Sequence, residues 1–403
     1  MQPLDDIRIV DFSRLAPGPM ATMILADLGA DVTKIEEPGG SRRSREESAL
    51  SKQPNAQARR WRRISPLERN KRSICINLRT EAGREIAIRV AGQADVVVEG
   101  YRPGVMARLG LDYPTLRLEN PGLIYCSITG YGQTGRKAMT VGHDLNYLAY
   151  SGALSLIGTR DGEPIVPINL LGDYSGGSFV AVIAILSALI ERSASGEGQF
   201  IDVSMVDSLI GLLGVEIARL IHTGRAPVAG TTYLTGGMAY YNIYRTKDGA
   251  YLTIACNEPH FFRELCEILD LNELPPLQFI PSEQGHMTRK LAQRFLGRTL
   301  NEWSELLDDT HIPIAGVRSL DQVLADEDLR QRGMFADVPN GPHRPITQAA
   351  SPFHFSRSSP RVRRLAALPG SDTMAIMRQL GYDDDTVEGL LQDGVIATSK
   401  QTI

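Results

Sequence analysis

Hydrophobic positions in the first 130 residues follow two different periodicities. Short runs rich in β-branched residues, such as residues 7–12, predict strands, and segments with apolar residues every three or four positions, such as residues 20–30, predict helices. The helix at 20–30 is expected to end at Gly29, a residue suited to a C-terminal cap. Further strands are predicted at residues 31–38, 71–78, 95–100 and 122–130, with a helix at 80–94. Strands that alternate with helices of this length predict an α/β fold with a parallel, Rossmann-like sheet.

The second half of the chain contains a longer apolar run and a predicted hairpin. Residues 176–191 are largely apolar and predict a buried helix, and residues 198–221 predict a strand followed by a helix. Residues 240–256 predict a β-hairpin whose turn is Lys247-Asp248-Gly249. Helical segments are expected up to about residue 330, and two final helices at 372–382 and 384–394.

The composition is that of an ordinary globular protein. The 403 residues are 42% hydrophobic and carry a net charge of −4, which gives no general reason to expect a nucleic-acid or membrane partner. The four cysteines lack metal-ligand spacing, so we expect buried thiols in a reducing compartment and no metal site. The N-terminus is unlike a signal peptide, and the uninterrupted apolar runs are shorter than a bilayer span. A cytoplasmic location is therefore expected.

Residues 41–72 differ from the rest of the chain in charge. This segment holds eleven lysines and arginines against three glutamates. It is interpreted either as a solvated loop or as an electropositive collar for a phosphorylated ligand. Nucleic-acid binding is the weakest alternative, because the rest of the chain is acidic and has no nucleic-acid motif.

Several common nucleotide and hydrolase motifs are missing from the sequence. The first predicted strand is followed by APGPM rather than GxGxxG, so a nicotinamide site is poorly supported. Neither a Walker loop nor a GxSxG elbow is found. What remains is a set of dispersed motifs: DFSRLAPGPMATMILADLGADVTKIEEPGG, NKRSICINL, ADVVVEGYRPGVMARLGL, GHDLNYLAYSG, NLLGDYSGGS and NEPHFF.

In these motifs the chain resembles family III coenzyme A transferases and the related 2-methylacyl-CoA racemases. The resemblance covers nearly the whole chain in the same order. It implies a Rossmann-like large domain from residues 1–205 and 336–403, a helical crossover at 206–235 and a smaller α+β domain at 236–335. It also implies an interlocked homodimer, in which two identical chains are threaded through each other.

The resemblance implies three catalytic residues. His143, in a racemase-like GHDxNYxxxSG pattern, and Asp173 would exchange a proton at the α-carbon of an acyl-CoA, and Glu258 would pair with His143 and orient its ring. Backbone N–H groups at a helix start near Asp173 would bind the enolate oxygen. In the transferase branch Asp173 would instead be the nucleophile. Without the resemblance, Asp173 would be interpreted as a helix N-cap and Glu258 as an acid in a first helical turn.

The same resemblance implies where the CoA moiety binds, and it shows two departures. Glu37 stands where many relatives have a basic residue, and residues 42–66 are longer than in compact racemases and are a candidate lid. Lys71 and Arg72 are weaker phosphate candidates. CoA or substrate contacts are implied at Ile76, Gly100, Tyr101, Arg102, Arg108, Gly142, Asp144, Asn146 and Tyr147. The predicted activity is epimerisation of a 2-methyl-branched acyl-CoA without metal or redox cofactor; the alternatives are CoA transfer and a catalytically silent CoA-binding protein.

Overall fold

The computed structural model describes residues 1–39, 60–159 and 161–399. The strands are β1 (Arg8–Asp11), β2 (Asp31–Glu36), β3 (Lys71–Ile76), β4 (Val96–Glu99), β5 (Ile124–Thr129), β6 (Phe200–Ser204), β7 (Tyr241–Arg245), β8 (Tyr251–Ala255), β9 (Ile314–Gly316), β10 (Phe335–Asn340), β11 (His343–Ala349) and β12 (Ile396–Ala397).

The helices cluster around these strands. They are α1 (Gly18–Asp27), α2 (Glu81–Gly92), α3 (Val105–Leu109), α4 (Tyr113–Glu119), α5 (Asp144–Ser151), a π-helical segment (Leu170–Phe179), α6 (Val180–Ser195), α7 (Met205–Leu212), α8 (Gly214–Thr223), α9 (Pro259–Ile268), α10 (Gln284–Phe295), α11 (Leu300–Leu307), α12 (Leu320–Ala325), α13 (Glu327–Gln331), α14 (Thr373–Gln379) and α15 (Asp384–Gln392).

The larger of two compact units consists of residues 1–147, 168–211 and 327–403. Its described residues form a sheet in the order β12-β3-β2-β1-β4-β5-β6. All neighbouring strands are parallel except β12, which runs antiparallel to β3. The predicted parallel sheet is therefore confirmed, and its order 3-2-1-4-5-6 reverses direction between β1 and β4, as in doubly wound folds.

Apolar side chains on both faces explain why this sheet is buried. Val97 and Tyr125 lie in a core with α2 and α14, whereas Val96 and Cys126 lie in a second core with α1 and α6. Successive side chains of a strand point to opposite faces, so a continuous apolar run such as that of β4 fills both cores.

Helix α1 differs from its predicted bounds at both ends. It begins two residues earlier than expected, with Pro19 in its first turn, and its C-cap is Leu28. Gly29 follows with φ of +119°, and a Cβ there would lie 2.7 Å from the Gln2 side chain. Glycine therefore ends the helix as expected, one position beyond the cap.

The predicted helix at 176–191 is part of a longer helical run. The chain is continuously helical over Leu170–Ser195, 26 residues with a mean hydropathy of 1.6 in its most apolar window. The helix is longer than the uninterrupted apolar run seen in the sequence, because it continues through glycine, serine and aspartate. By length and composition alone it is long enough to cross a bilayer, a weak indication that core helices share. Here Ala181, Ile185 and Ala188 lie in the second sheet core.

The smaller unit consists of residues 148–167 and 212–326. The predicted hairpin is confirmed: β7 and β8 pair antiparallel, and Gly249 in the turn has φ of +81°. Strand β9 adds to β8, and helices α9, α10 and α11 supply Phe262, Leu291 and Trp303 to one apolar core. Strand β9 was not predicted from the sequence. The hairpin that β10 and β11 form in the larger unit was not predicted either.

Candidate active site

The turns that follow β1 and β4 meet where the strand order reverses. Ser13 follows β1 and Gly100 follows β4, and a Cβ placed on Gly100 would lie 3.8 Å from the Ser13 Cβ. In open α/β sheets, ligands bind outside the carboxyl ends of the strands at this reversal. The turn for which the sequence predicted CoA contacts, Gly100 to Arg102, therefore occupies the expected ligand-binding edge.

Arginine side chains gather at the same edge. The Arg14 guanidinium lies 5.1 Å from the centre of the Tyr101 ring and 3.5 Å from the Glu37 carboxylate. Glu37 also approaches Arg79 at 3.2 Å. The acid found in place of a basic residue thus pairs with two arginines, one of which, Arg14, lies beside Tyr101. Sequence reasoning missed Arg14, although its position directly after β1 at a reversal point was a usable signal.

Arg102 and Arg108 are exposed cations. Arg108 lies in the last turn of α3, which begins after Gly104 at φ of +79°. Neither arginine forms an ion pair with another described residue, so both are available to an anionic ligand. Ile76 differs: the residue is 1% exposed and its backbone pairs with Ile396, so its contact with CoA stays a prediction.

A buried ion cluster supports the turn after β1. Asp11 accepts hydrogen bonds from the Ser13 N–H at 2.8 Å and the Thr22 hydroxyl at 2.6 Å. The Lys34 and Lys71 ammonium groups each lie 3.2 Å from the Asp11 carboxylate. Burial opposes ionisation of Asp11, but the two lysines hold the pKa of its carboxyl well below the ordinary value.

The structure contradicts the assignment of Lys71 to phosphate binding. Its side chain is 1% exposed, and it pairs with Glu68 at 2.9 Å as well as with Asp11. Arg72 points to Asp31 and Gln379. Because its ammonium group is buried and paired with two carboxylates, Lys71 is not available to bind a phosphate.

The described part of the basic segment also makes internal ion pairs. Arg62 forms two 2.8 Å hydrogen bonds to Glu36, and Arg69 forms a buried pair with Asp27. These arginines therefore do not form an electropositive collar. Residues 40–59, which hold most of the candidate lid, lie outside the described residues.

His143 is held by residues of its own motif. Its backbone N–H donates to Asn146 Oδ1 at 3.0 Å, and the Tyr147 hydroxyl donates to the Gly142 carbonyl at 2.5 Å. A Cβ on Gly142 would lie 2.8 Å from the Tyr147 ring, so glycine is required for this close packing. The His143 side chain is exposed. Gly142, Asn146 and Tyr147 thus position the backbone that carries the imidazole.

Asp173 lies inside the π-helical segment. Its backbone N–H donates to Asp144 Oδ1 at 2.8 Å, and the Asn169 amide donates to Asp173 Oδ2 at 2.9 Å. The N-cap interpretation was wrong, because the helical run begins three residues earlier. The Asp173 N–H is also wrongly assigned as an enolate donor, since Asp144 already occupies it. Asn169, which sequence reasoning missed, is identifiable only by its spacing of four residues from Asp173.

The electrostatics of Asp173 suit proton transfer. Burial raises the pKa of its carboxyl, the Asn169 hydrogen bond lowers it, the Asp144 charge raises it and the His143 charge lowers it, with a net rise. His143 and Asp173 therefore act on one another electrostatically within the larger unit. A half-buried carboxyl with a raised pKa beside an imidazole is an acid/base pair in its chemistry.

Glu258 belongs to the smaller unit and immediately precedes α9. It occupies the N-cap position, makes no capping hydrogen bond through its side chain and is exposed. Sequence reasoning put Glu258 in the first turn of the helix, and in the structure it lies one position before that turn. Its pairing with His143 stays a prediction.

Comparisons with known proteins agree with these motifs. Human alpha-methylacyl-CoA racemase is 33% identical over 408 residues, covering 98% of this chain and 98% of that protein. Mouse succinyl-CoA:glutarate CoA-transferase is also 33% identical, over 98% of this chain and 91% of its own length. Among solved structures, a CAIB/BAIF family protein from Brucella suis has a TM-score of 0.78 at 29% identity, covering 94% of this chain and 99% of that chain.

The family comparison extends over most of the sequence. The model of CoA-transferase family III matches residues 4–373, which include the turns after β1 and β4, the GHDxNY motif and the π-helical segment. The chain therefore belongs to CoA-transferase family III.

Proposed function

We propose that this protein is an acyl-CoA epimerase, which inverts the α-carbon of 2-methyl-branched acyl-CoA thioesters. The observation that carries the proposal is the link from His143 through its neighbour Asp144 to the Asp173 backbone, at 2.8 Å. That link, and the effect of the His143 charge on the raised pKa of Asp173, support a site in which an imidazole and a carboxyl act together.

The proposed reaction moves one proton off the α-carbon and returns one to its opposite face. One of His143 and Asp173 takes the proton, the C–H electron pair delocalises into the thioester as an enolate, and the other residue supplies a proton from the far side. The pair exchanges roles when the substrate has the other configuration. Glu258 would orient the imidazole and stabilise its charged form, as a carboxylate does in a triad.

The edge of the sheet at β1 and β4 supports binding of the CoA moiety. Arg102 and Arg108 are exposed and unpaired with described residues, and Arg14 lies over Tyr101. Guanidinium groups bind phosphate strongly because they combine charge with directed hydrogen bonds. CoA is part of the substrate, and the proposed chemistry uses protein side chains alone.

We also propose a cytoplasmic, interlocked homodimer. Ile183 and Ile190 on α6 are 63% and 72% exposed, and Val215 and Ile221 on α8 are 72% and 79% exposed. Large apolar side chains at these levels favour coverage by a second chain.

CoA transfer between carboxylic acids is the second candidate. The equal identity to a CoA-transferase favours it, and a half-buried Asp173 would serve as the nucleophile that forms an anhydride and then a CoA thioester. In that reaction the His143 imidazole is not required to remove a carbon-bound proton.

Incubation with a 2-methylacyl-CoA in deuterated water separates the two reactions. The epimerase incorporates α-deuterium, detected by mass spectrometry, and His143→Ala and Asp173→Asn each slow this by roughly 10²–10⁴-fold. His311→Ala, at an exposed histidine between α11 and β9, is the matched control. Absence of α-deuterium, together with Asp173-dependent transfer of CoA to a free acid, would replace the proposal by the second candidate.

A further inference from the structure

Three polar side chains form a row across the central sheet. Glu99 on β4 is paired in register with Ser127 on β5, which is paired with Asp202 on β6. Residues in register point to the same face, here the face of Val97 and Tyr125. Glu99 is 4% exposed and Ser127 is 2% exposed. A carboxyl group buried beside an apolar core is costly unless it has hydrogen-bond partners.

The side-chain carboxyl groups of Glu99 and Asp202 each accept a hydrogen bond from the backbone of a turn at the C-terminal ends of the strands. The Tyr101 N–H donates to Glu99 Oε2 at 2.6 Å, and the Gln133 N–H donates to Asp202 Oδ2 at 2.8 Å. The first bond fixes the turn from Gly100 to Arg102. Glu99 therefore lies directly behind the turn on which CoA binding is proposed, and it is shielded from solvent.

The charge of Glu99 changes near neutral pH. Burial raises the pKa of its carboxyl to about 7, with the Ser127 hydroxyl and the Tyr101 N–H lowering it and the Asp202 charge raising it. Burial raises the pKa of Asp202 as well. On β5, burial and the Glu99 charge raise the pKa of Tyr125 and Cys126, so both stay neutral. The cations that act on the adjoining Tyr101 are Arg14, which stacks on its ring, and Lys34.

We propose that Glu99 is a positioning residue for CoA binding: it fixes the Tyr101 amide, and loss of its proton weakens binding. The inference rests on the proposed CoA ester chemistry. Its two parts have separate causes. The hydrogen bond holds the turn in one conformation whether the carboxyl is neutral or ionised, because either form accepts from an N–H. The ionised form adds a buried negative charge behind a site for phosphates, and like charges repel most strongly where water is excluded.

Two substitutions separate these parts. Glu99→Gln keeps an oxygen that accepts from the Tyr101 N–H but carries no charge at any pH. Glu99→Ala removes the acceptor. Glu85→Gln, an exposed glutamate on α2, is the matched control for removing a carboxylate from the same unit.

Calorimetric titration of CoA at pH 6 and pH 8 tests the proposal. We expect Glu99→Ala to bind about tenfold more weakly than Glu99→Gln at both pH values, the scale of one lost hydrogen bond. Glu99→Gln should match the wild type at pH 6 and bind severalfold more tightly than the wild type at pH 8. The ionisation of the CoA phosphates also changes with pH, but it affects the wild type and the variants equally. It therefore cancels in the ratio of their dissociation constants.

The outcomes also separate this inference from the proposed function. A wild-type to Glu99→Gln ratio that is the same at both pH values overturns the inference, even if Glu99→Ala fails to fold. Binding by a folded Glu99→Ala that equals the wild type at pH 6, where the Glu99 carboxyl is mostly neutral, overturns it too. CoA binding with the expected ratio but without α-deuterium exchange supports the inference and contradicts the epimerase. Failure of the wild type to bind CoA overturns both.

Discussion

The carboxylate of Asp144 accepts the backbone N–H of Asp173 at 2.8 Å, although the two residues are 29 positions apart. Asp144 is 7% exposed, and a Cβ on Gly172 would lie 2.5 Å from its Oδ1 atom. The start of α5 and the π-helical segment are therefore fixed to one another. Since His143 precedes Asp144, this bond ties the backbone that carries the imidazole to the backbone of Asp173.

Replacing Asp144 should separate its geometric effect from its electrostatic effect. Asp144→Asn retains an oxygen acceptor, so we expect a rate of α-deuterium exchange within a few-fold of the wild type. The Asp144 charge raises the pKa of Asp173, so its removal should shift the acid limb of the pH–rate profile to lower pH. Asp144→Ala should lose at least tenfold in kcat. A wild-type profile in Asp144→Ala would contradict this role.

Gly172→Ala tests the same packing without replacing a charged residue. The added methyl group must displace the Asp144 carboxylate, and we expect a loss of about 1–3 kcal/mol in the free energy of unfolding, with a slower exchange rate. Gly211 on α7 has no atom within 4 Å of an added Cβ. Gly211→Ala is therefore the control, and it should be neutral or stabilising by up to about 1 kcal/mol. Urea unfolding measures both; equal effects would refute the packing argument.

Arg108→Ala should affect binding more than chemistry. Phosphate contacts are shared by the ground and transition states, so we expect a higher KM for CoA esters with little change in kcat. Arg117→Ala is the control, because Arg117 is an exposed arginine on the next helix that stacks on Tyr113. Steady-state kinetics decide. An unchanged KM with a much lower kcat would contradict the assignment of Arg108 to the phosphate site.

Lys71→Met should be strongly destabilising. It leaves Glu68 without one lysine partner and Asp11 with Lys34 as its remaining lysine partner. Breaking a buried ion pair typically costs about 3–5 kcal/mol in the free energy of unfolding. Arg8→Ala is the control, because Arg8 is mostly exposed and lies 3.9 Å from Asp95, a surface pair worth roughly 0–1 kcal/mol. Denaturant unfolding compares the two. A loss below about 1 kcal/mol in Lys71→Met would contradict the buried cluster.

The parallel sheet was predictable because its strands carry a local signal. Strand β4 begins with three consecutive valines, and the helices between strands have clear caps, for instance Thr80 before α2. Residues 335–349 form a hairpin that sequence reasoning missed. Its strands are largely exposed, so they lack both the apolar run and the strict alternation that predict a strand.

The candidate site was only partly predictable, for a different reason. Motifs identify His143 and Asp173. For a charged side chain, however, the sequence does not show whether a distant residue of the same chain will form an ion pair with it. Sequence reasoning made both Arg102 and Lys71 phosphate candidates, Lys71 the weaker of the two; in the structure Lys71 is turned inward to Asp11, and Arg102 is exposed. Such a distinction depends on residues 60 positions apart meeting across β1 and β3, which no local pattern encodes.

The buried carboxyl of Glu99 should also make the stability of the protein depend on pH. The pKa of Glu99 is about 7 in the folded chain against an ordinary 4.5, so between these values the folded chain holds a proton that the unfolded chain has lost. Stability then falls as the pH rises through this window, because protonation favours the folded state. Relative to Glu99→Gln, whose amide does not titrate, the wild type should lose at most about 3 kcal/mol between pH 4.5 and pH 8.

Urea unfolding of the wild type and Glu99→Gln at equal protein concentration, at pH 5, 6, 7 and 8, measures this difference directly. All other titrating groups are common to both proteins, so their contributions cancel in the difference. Glu85→Gln, whose carboxylate is exposed, should show no such trend. The difference should grow up to about pH 7 and then level off, since Glu99 is ionised in both states above that value. A constant difference, or a wild type that gains stability over Glu99→Gln as the pH rises, would show that the Glu99 carboxyl is ionised throughout and that burial does not control its charge.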